Sequence, residues 1–111
     1  MTDLIPDDLK NILLENGRQA AAGVAIDPEP LVKLFAPWTN ITWFISELSP
    51  RDPQVAFGVA DFNGEIELGN FDLREIARLE GPGGLRVERD LYFKPKGTVS
   101  EYWNPTAPPK P

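Results

Sequence analysis

The sequence predicts an α+β domain: one mainly antiparallel sheet of four to five strands, with an N-terminal helix and a second helix before the last strand. Three observations predict it. Pro6, Asp7 and Asp8 suit the first turn of a helix, and Leu9, Ile12 and Leu13 follow at helical spacing. Between Leu31 and Gly69 lie runs of β-branched and aromatic residues separated by Pro, Asn and Gly turns. Those runs succeed one another without helical interruption, the pattern of hairpin-joined strands rather than of βαβ winding.

In chain order, the first helix starts at Pro6, with Leu4 placed to staple its first turn and Gly17 placed to stop it. Gln19–Ile26 is ambiguous between helix and loop. The Asp27-Pro28-Glu29-Pro30 stretch must be extended, because each proline pushes its predecessor out of the helical region. Leu31–Ala36 is a short strand with Val32, Leu34 and Ala36 on one side. Ile41–Leu48 is the next, with Ile41, Trp43, Ile45 and Glu47 on one face and Thr42, Phe44, Ser46 and Leu48 on the other. Gln54–Phe62 and Glu65–Gly69 flank Asn63-Gly64, a strong hairpin signal. Asp72 is placed to cap the second helix, with Glu75 completing a capping box. Gly81-Pro82-Gly83-Gly84 ends it and leads into a last strand, Leu85–Phe93; helices are expected on one face of the sheet. Residues 1–96 form the single domain, and 97–111 form a Pro-rich tail pinned in part by Tyr102 and Trp103 and frayed beyond Asn104.

Composition narrows the chemistry. With 111 residues the chain holds one modest core. No apolar run approaches the roughly 20 residues of a membrane-crossing helix, and the N-terminus lacks the pattern of a signal peptide. Absence of cysteine removes disulfides and thiol nucleophiles and fits a bacterial-type cytosol. Absence of histidine removes the commonest general base and zinc sites of the Cys/His kind. The net charge is −6, and 16 of the 17 acidic residues lie before Lys94. A body of that sign repels nucleic-acid phosphates, so no direct DNA or RNA binding is expected, whereas a basic protein surface remains a suitable partner.

Glu88-Arg89-Asp90 is the densest charge run on a predicted strand. Glu88 and Asp90 share one side, and Arg89 takes the other beside Val87 and Leu91. A half-buried guanidinium needs a carboxylate, for which Glu47, Glu67 and Glu75 are candidates. The arrangement suits an ion-pair network that sets strand register, or an anion clamp built from Glu47, Glu67, Glu88 and Arg89. No Asp-x-Asp cluster or calcium-loop spacing occurs, so no metal, cofactor or catalytic residue is assigned. Gly81–Gly84 lacks the Lys-Ser/Thr and the following helix of a phosphate loop. Phe35, Trp43, Phe44, Phe57, Phe62, Phe71, Tyr92 and Phe93 are mostly core. Trp38, in its Pro37–Asn40 turn, and Trp103 are harder to bury, and an exposed Trp beside acids is a docking anchor.

Leu34-Phe35-Ala36-Pro37, Thr42-Trp43-Phe44-Ile45-Ser46-Glu47, Phe57-Gly58-Val59, Glu67-Leu68-Gly69-Asn70-Phe71 and Gly81-Pro82-x-Gly84-Leu85-x-Val87-Glu88-Arg89-Asp90-Leu91-Tyr92-Phe93 occur in that order. The combination resembles a small bacterial family catalogued as domain of unknown function 2958, over about Val32 to Pro95. The family pattern has Leu-Pro-Ile where this chain has Leu85-Arg86-Val87, and more often Tyr at the Phe44 and Asn70 positions. The resemblance implies a gene carried on plasmids, phages or other mobile elements, and it implies no particular activity. The expected function is therefore a non-enzymatic adaptor or inhibitor that meets a protein partner through Trp38, Trp43 and the acidic strands. The alternative is a small-ligand or carboxylate-based enzyme site at Glu47, Glu67, Glu88 and Arg89.

Overall fold

The computed structural model describes residues 4–104. Helix α1 (Asp7–Ala21) is followed by β1 (Val32–Ala36), β2 (Ile41–Leu48), β3 (Val55–Phe62) and β4 (Glu65–Asp72). Then come α2 (Leu73–Arg78), a short β5 (Glu88–Arg89) and α3 (Val99–Trp103). The five strands form one antiparallel sheet in the order β4-β3-β2-β1-β5. The α+β expectation holds, as do both helices named for it.

The first face of the sheet carries the core. Val32, Leu34 and Ala36 from β1 meet Trp43, Ile45 and Leu48 from β2 and Ala56 and Ala60 from β3. Leu4, Ile5 and Leu13 cover them from the α1 side, and Leu73 and Ile76 from α2. Helix α1 runs past Gly17 rather than stopping there. Gly17 is buried in mid-helix, where its missing side chain admits the backbone of Leu48. The stop lies at Gly23, with φ of 83°. Gly23 N donates to Ala20 O and Val24 N to Gln19 O, the paired bonds of a Schellman end.

Three further elements depart from expectation. In β2 the register slips between Ile45 and Glu47, so Ser46 is an extra residue and Leu48, not Glu47, returns to the core face. The bulge is satisfied: Ser46 Oγ donates to Phe57 O at 3.2 Å, and Asn16 Nδ2 donates to Ser46 O at 3.1 Å. The last strand shrinks to two residues, because Pro82–Gly84 forms a 3₁₀ turn and Arg86 only bridges Glu80. Residues after Pro95 re-enter the fold as α3, which packs against β3 and β4 on the second face, so helices cover both sides. Its capping box joins Thr98 and Glu101. The expected fraying beyond Asn104 lies outside the described residues.

The remaining turns follow their sequence signals. Asn63 and Gly64 both take positive φ, 55° and 97°, as the two-residue hairpin requires. Asp72 caps α2 by accepting from Arg74 N at 2.9 Å. The Asp72 carboxylate also accepts from the Glu75 backbone, and the Arg74 guanidinium folds back onto Asp72 (3.0 Å) and reaches Asp52 (2.8 Å).

Candidate docking surface

The second face of the sheet is assembled by register. Phe35, Thr42, Asp61 and Ile66 lie in one row across β1 to β4, and Lys33, Phe44, Val59 and Leu68 in the next. Helix α3 covers only part of this face. Tyr102 sits 4.7 Å from Phe44 between ring centroids, and Phe93 lies 5.8 Å from Phe44. The uncovered part is concave. A cleft of about 500 Å³ is lined by Lys33, Phe35, Thr42 and Asp61. Through Asp61 it adjoins an apolar slot of about 340 Å³ between Phe44, Val59, Ile66 and Tyr102. Through Lys33 and Phe35 it adjoins a hollow of about 410 Å³ bounded by Glu88, Arg89, Leu91 and Tyr92.

The rim of that hollow is a fixed turn. Asp90 N donates to Lys33 O at 2.9 Å, continuing the β1 pairing for one more bond. The Asp90 carboxylate then accepts from Tyr92 N at 2.9 Å and lies 3.8 Å from Lys33 Nζ. An Asp that bonds the backbone two residues on turns the chain out of a strand, which is why β5 ends before Asp90. Leu91 and Tyr92 are thrown outward, 67% and 90% exposed, while Phe93 turns back onto Phe44. Tyr92, expected in the core, is the most exposed of the large apolar side chains described.

The residues singled out from sequence are scattered. Trp43 is a core residue at 4% exposure. Trp38 is half-buried against the core, its indole filling the space where Gly81 lacks a Cβ. Glu67 stands exposed on β4, and Arg89 is half-exposed on β5, at opposite edges of the sheet. Four strand spacings separate those edges, roughly 19 Å. The set Glu47, Glu67, Glu88 and Arg89 therefore does not converge. Among the described residues none of Glu47, Glu67 and Glu75 ion-pairs with Arg89; Lys33 pairs with Asp90 instead. Arg89 needs no buried partner, because a two-residue edge strand leaves it half-exposed.

Glu47 lies on the second face opposite Phe57, half-buried, and burial pushes its carboxyl above the usual range. The Asp72 carboxyl is held below its usual range by hydrogen bonds from Arg74 and by that guanidinium's charge. Among the described residues no group of three or more carboxylates is close enough to hold a metal ion. Among the described residues no helix is long and apolar enough to cross a membrane.

Lys33, Thr42 and Asp61 line the cleft, yet nothing in their spacing sets them apart from other strand residues. Two signals were available in the chain: Asp90-x-Tyr92 as an Asx turn, and Thr98-x-x-Glu101 as a capping box that announces α3. No curated protein and no solved structure matches the chain. A family model does match, over residues 4–107, nearly the whole length, so the chain belongs to the family described as Protein of unknown function (DUF2958).

Proposed function

We propose that this protein is a non-enzymatic protein-binding module, an acidic adaptor or inhibitor that docks on a basic partner surface. The observation that carries this reading is the outward placement of Leu91 and Tyr92 on a turn locked by Asp90. Leaving a tyrosine 90% exposed forgoes its burial, roughly 1.5–3 kcal/mol for a large apolar side chain. The same side chain is among those that carry binding energy at protein interfaces. A turn that is already fixed loses little freedom on docking. Glu88 lies exposed beside it, and the net charge of −6 favours a basic partner over nucleic acid. Such a module fits a mobile element that must occupy a host or element-encoded protein, including one whose basic surface is built for nucleic acid.

Affinity capture from host lysate tests it, with the wild-type chain and the Tyr92→Ala and Glu88→Lys variants as baits. The expected result is a discrete captured protein, lost with Tyr92→Ala and weakened by Glu88→Lys and by added salt, while both variants unfold at the wild-type midpoint. Capture that is indifferent to both substitutions would remove this surface as the docking site. Turnover of a small compound by the purified chain would remove the non-enzymatic reading.

A further inference from the structure

The two edges of the sheet are finished differently. On one side β5 pairs with Leu34 and Phe35, and Asp90 N closes on Lys33 O, so β1 is shielded. On the other side β4 runs for eight residues with an unbroken register against β3 and, among the described residues, no strand beyond it. Which of its backbone groups point outward follows from one bond. Leu73 N donates to Gln54 O at 2.8 Å, and the register places Leu73 opposite Gln54. In an antiparallel ladder alternate residues bond the same neighbour. Glu65, Glu67, Gly69 and Phe71 therefore bond β3, and Ile66, Leu68 and Asn70 turn their N–H and C=O groups away from it. No other group among the described residues bonds to those three.

Edge strands are ordinarily blunted by shortness, a bulge, proline, charged side chains or a covering element. β4 is eight residues long without bulge or proline. Its exposed charges are Glu65 and Glu67, which repel an acidic strand and suit a basic one, and α3 packs on its second face without bonding the three outward backbone groups. Its side chains are sorted by face, with Glu65 and Glu67 exposed on the first and Ile66 and Leu68 on the second, Leu68 at 38%.

We propose that the outer edge of β4 takes up an extended segment of a partner protein, with basic and apolar residues in alternation, as a sixth strand. The backbone bonds go to Ile66, Leu68 and Asn70. Alternation of side chains across a strand places one set of the incoming residues beside Glu65 and Glu67 and the other beside Ile66 and Leu68. A second copy of this chain is the poorer occupant. Pairing β4 with itself about Leu68 makes the two Glu67 carboxylates diagonal neighbours, between bodies of charge −6 each. The inference adds a site to the docking surface at Tyr92 and does not depend on it, since the two lie at opposite edges.

The test uses the full chain and an end-capped eight-residue peptide alternating Lys and Val, with a control peptide of similar charge carrying two central prolines. Amide hydrogen exchange is followed residue by residue. At saturation the Ile66, Leu68 and Asn70 amides slow by about 10-fold or more, as amides do on gaining a strand partner, and the proline control leaves them unchanged. Glu65→Gln with Glu67→Gln weakens peptide binding about 10-fold, the loss expected for removing charge pairs. Leu68→Pro removes an outward donor without touching the β3 pairing and abolishes binding; if it fails to fold, the glutamine pair still decides. Tyr92→Ala leaves peptide binding intact, so failure here and failure of the Tyr92 reading are separable. Equal binding of the proline control, unchanged exchange at the three amides, or their protection in a dimer without peptide would each overturn the proposal.

Discussion

The α-carbon of Gly17 packs directly on the carbonyl of Leu48, so closely that a β-carbon would overlap the oxygen. Helix α1 and the end of β2 touch there through backbone alone. Gly17→Ala therefore opposes two effects. Alanine improves helix propensity by about 1 kcal/mol, while the added methyl meets a backbone atom that cannot rotate away. Overpacking of this kind costs typically 1–3 kcal/mol, occasionally more. Because the overlap is with backbone on both sides, the cost lies at the upper end of that range, and the expected net outcome is destabilisation by about 2 kcal/mol, seen as a lower urea midpoint with an unchanged slope.

Asn16, one residue earlier, tests the bulge. Its Nδ2 satisfies the carbonyl of Ser46, a residue fully buried between Ile45 and Glu47. Removing one partner of such a bond leaves the acceptor without compensation, at a cost of about 1–3 kcal/mol. Asn16→Ala is expected to lose that much in denaturant titration and to speed exchange at the neighbouring β2 amides. Ser46→Ala, which keeps the carbonyl bond and loses only the donor to Phe57 O, is expected to cost less.

These two residues also mark where the sequence was legible. Strand alternation located the core correctly as far as Ile45, because period-two patterning and burial coincide there. Past the bulge the same alternation sends Glu47 inward and Leu48 outward, the reverse of what occurs. A bulge depends on a partner 30 residues away, Asn16, and leaves no local sign. Gly17 reads as a helix stop for the same reason, since its use is a tertiary close approach. The site suffered more than the fold. Tyr92 is apolar and follows a strand pattern, yet the side chain of Asp90 overrides that pattern. The scattered acids looked like a cluster only because strand order, which separates Glu67 from Arg89, is not written in their spacing.

Asp27 gives a prediction about α3. Its carboxylate accepts from Thr98 Oγ1 at 2.8 Å, Ser100 N at 3.0 Å and Ser100 Oγ at 2.6 Å, while Val99 N donates to Pro28 O. A five-residue helix is too short to persist alone, so α3 depends on this cap and on Tyr102 against Phe44. Asp27→Ala is expected to cost about 1 kcal/mol, the ordinary value of a lost cap. The loss should be local: amides of Tyr102 and Trp103 exchange about 5-fold faster, while those of β2 and β3 are unchanged.

Glu47 and Asp72 predict opposite dependences on pH. Glu47 titrates above its ordinary 4.5 because burial penalises its charge. Between that value and the folded-state value the folded chain holds the proton that the unfolded chain has released, so this group makes stability fall as pH rises through the window. Below pH 4.5 the penalty is absent, and above the folded-state value it is fully present. Glu47→Gln is therefore expected to unfold with the wild type in acid and to become the more stable protein towards neutral pH. Asp72 runs the other way. Hydrogen bonds from Arg74 hold it below its ordinary 3.8, so its contribution is complete above that value and is lost as pH falls through the folded-state value. Asp72→Asn should be the less stable protein at neutral pH and converge on the wild type in strong acid. Salt separates the two further: the Asp72–Arg74 attraction is exposed and weakens with ionic strength, whereas the Glu47 penalty arises from lost hydration and persists.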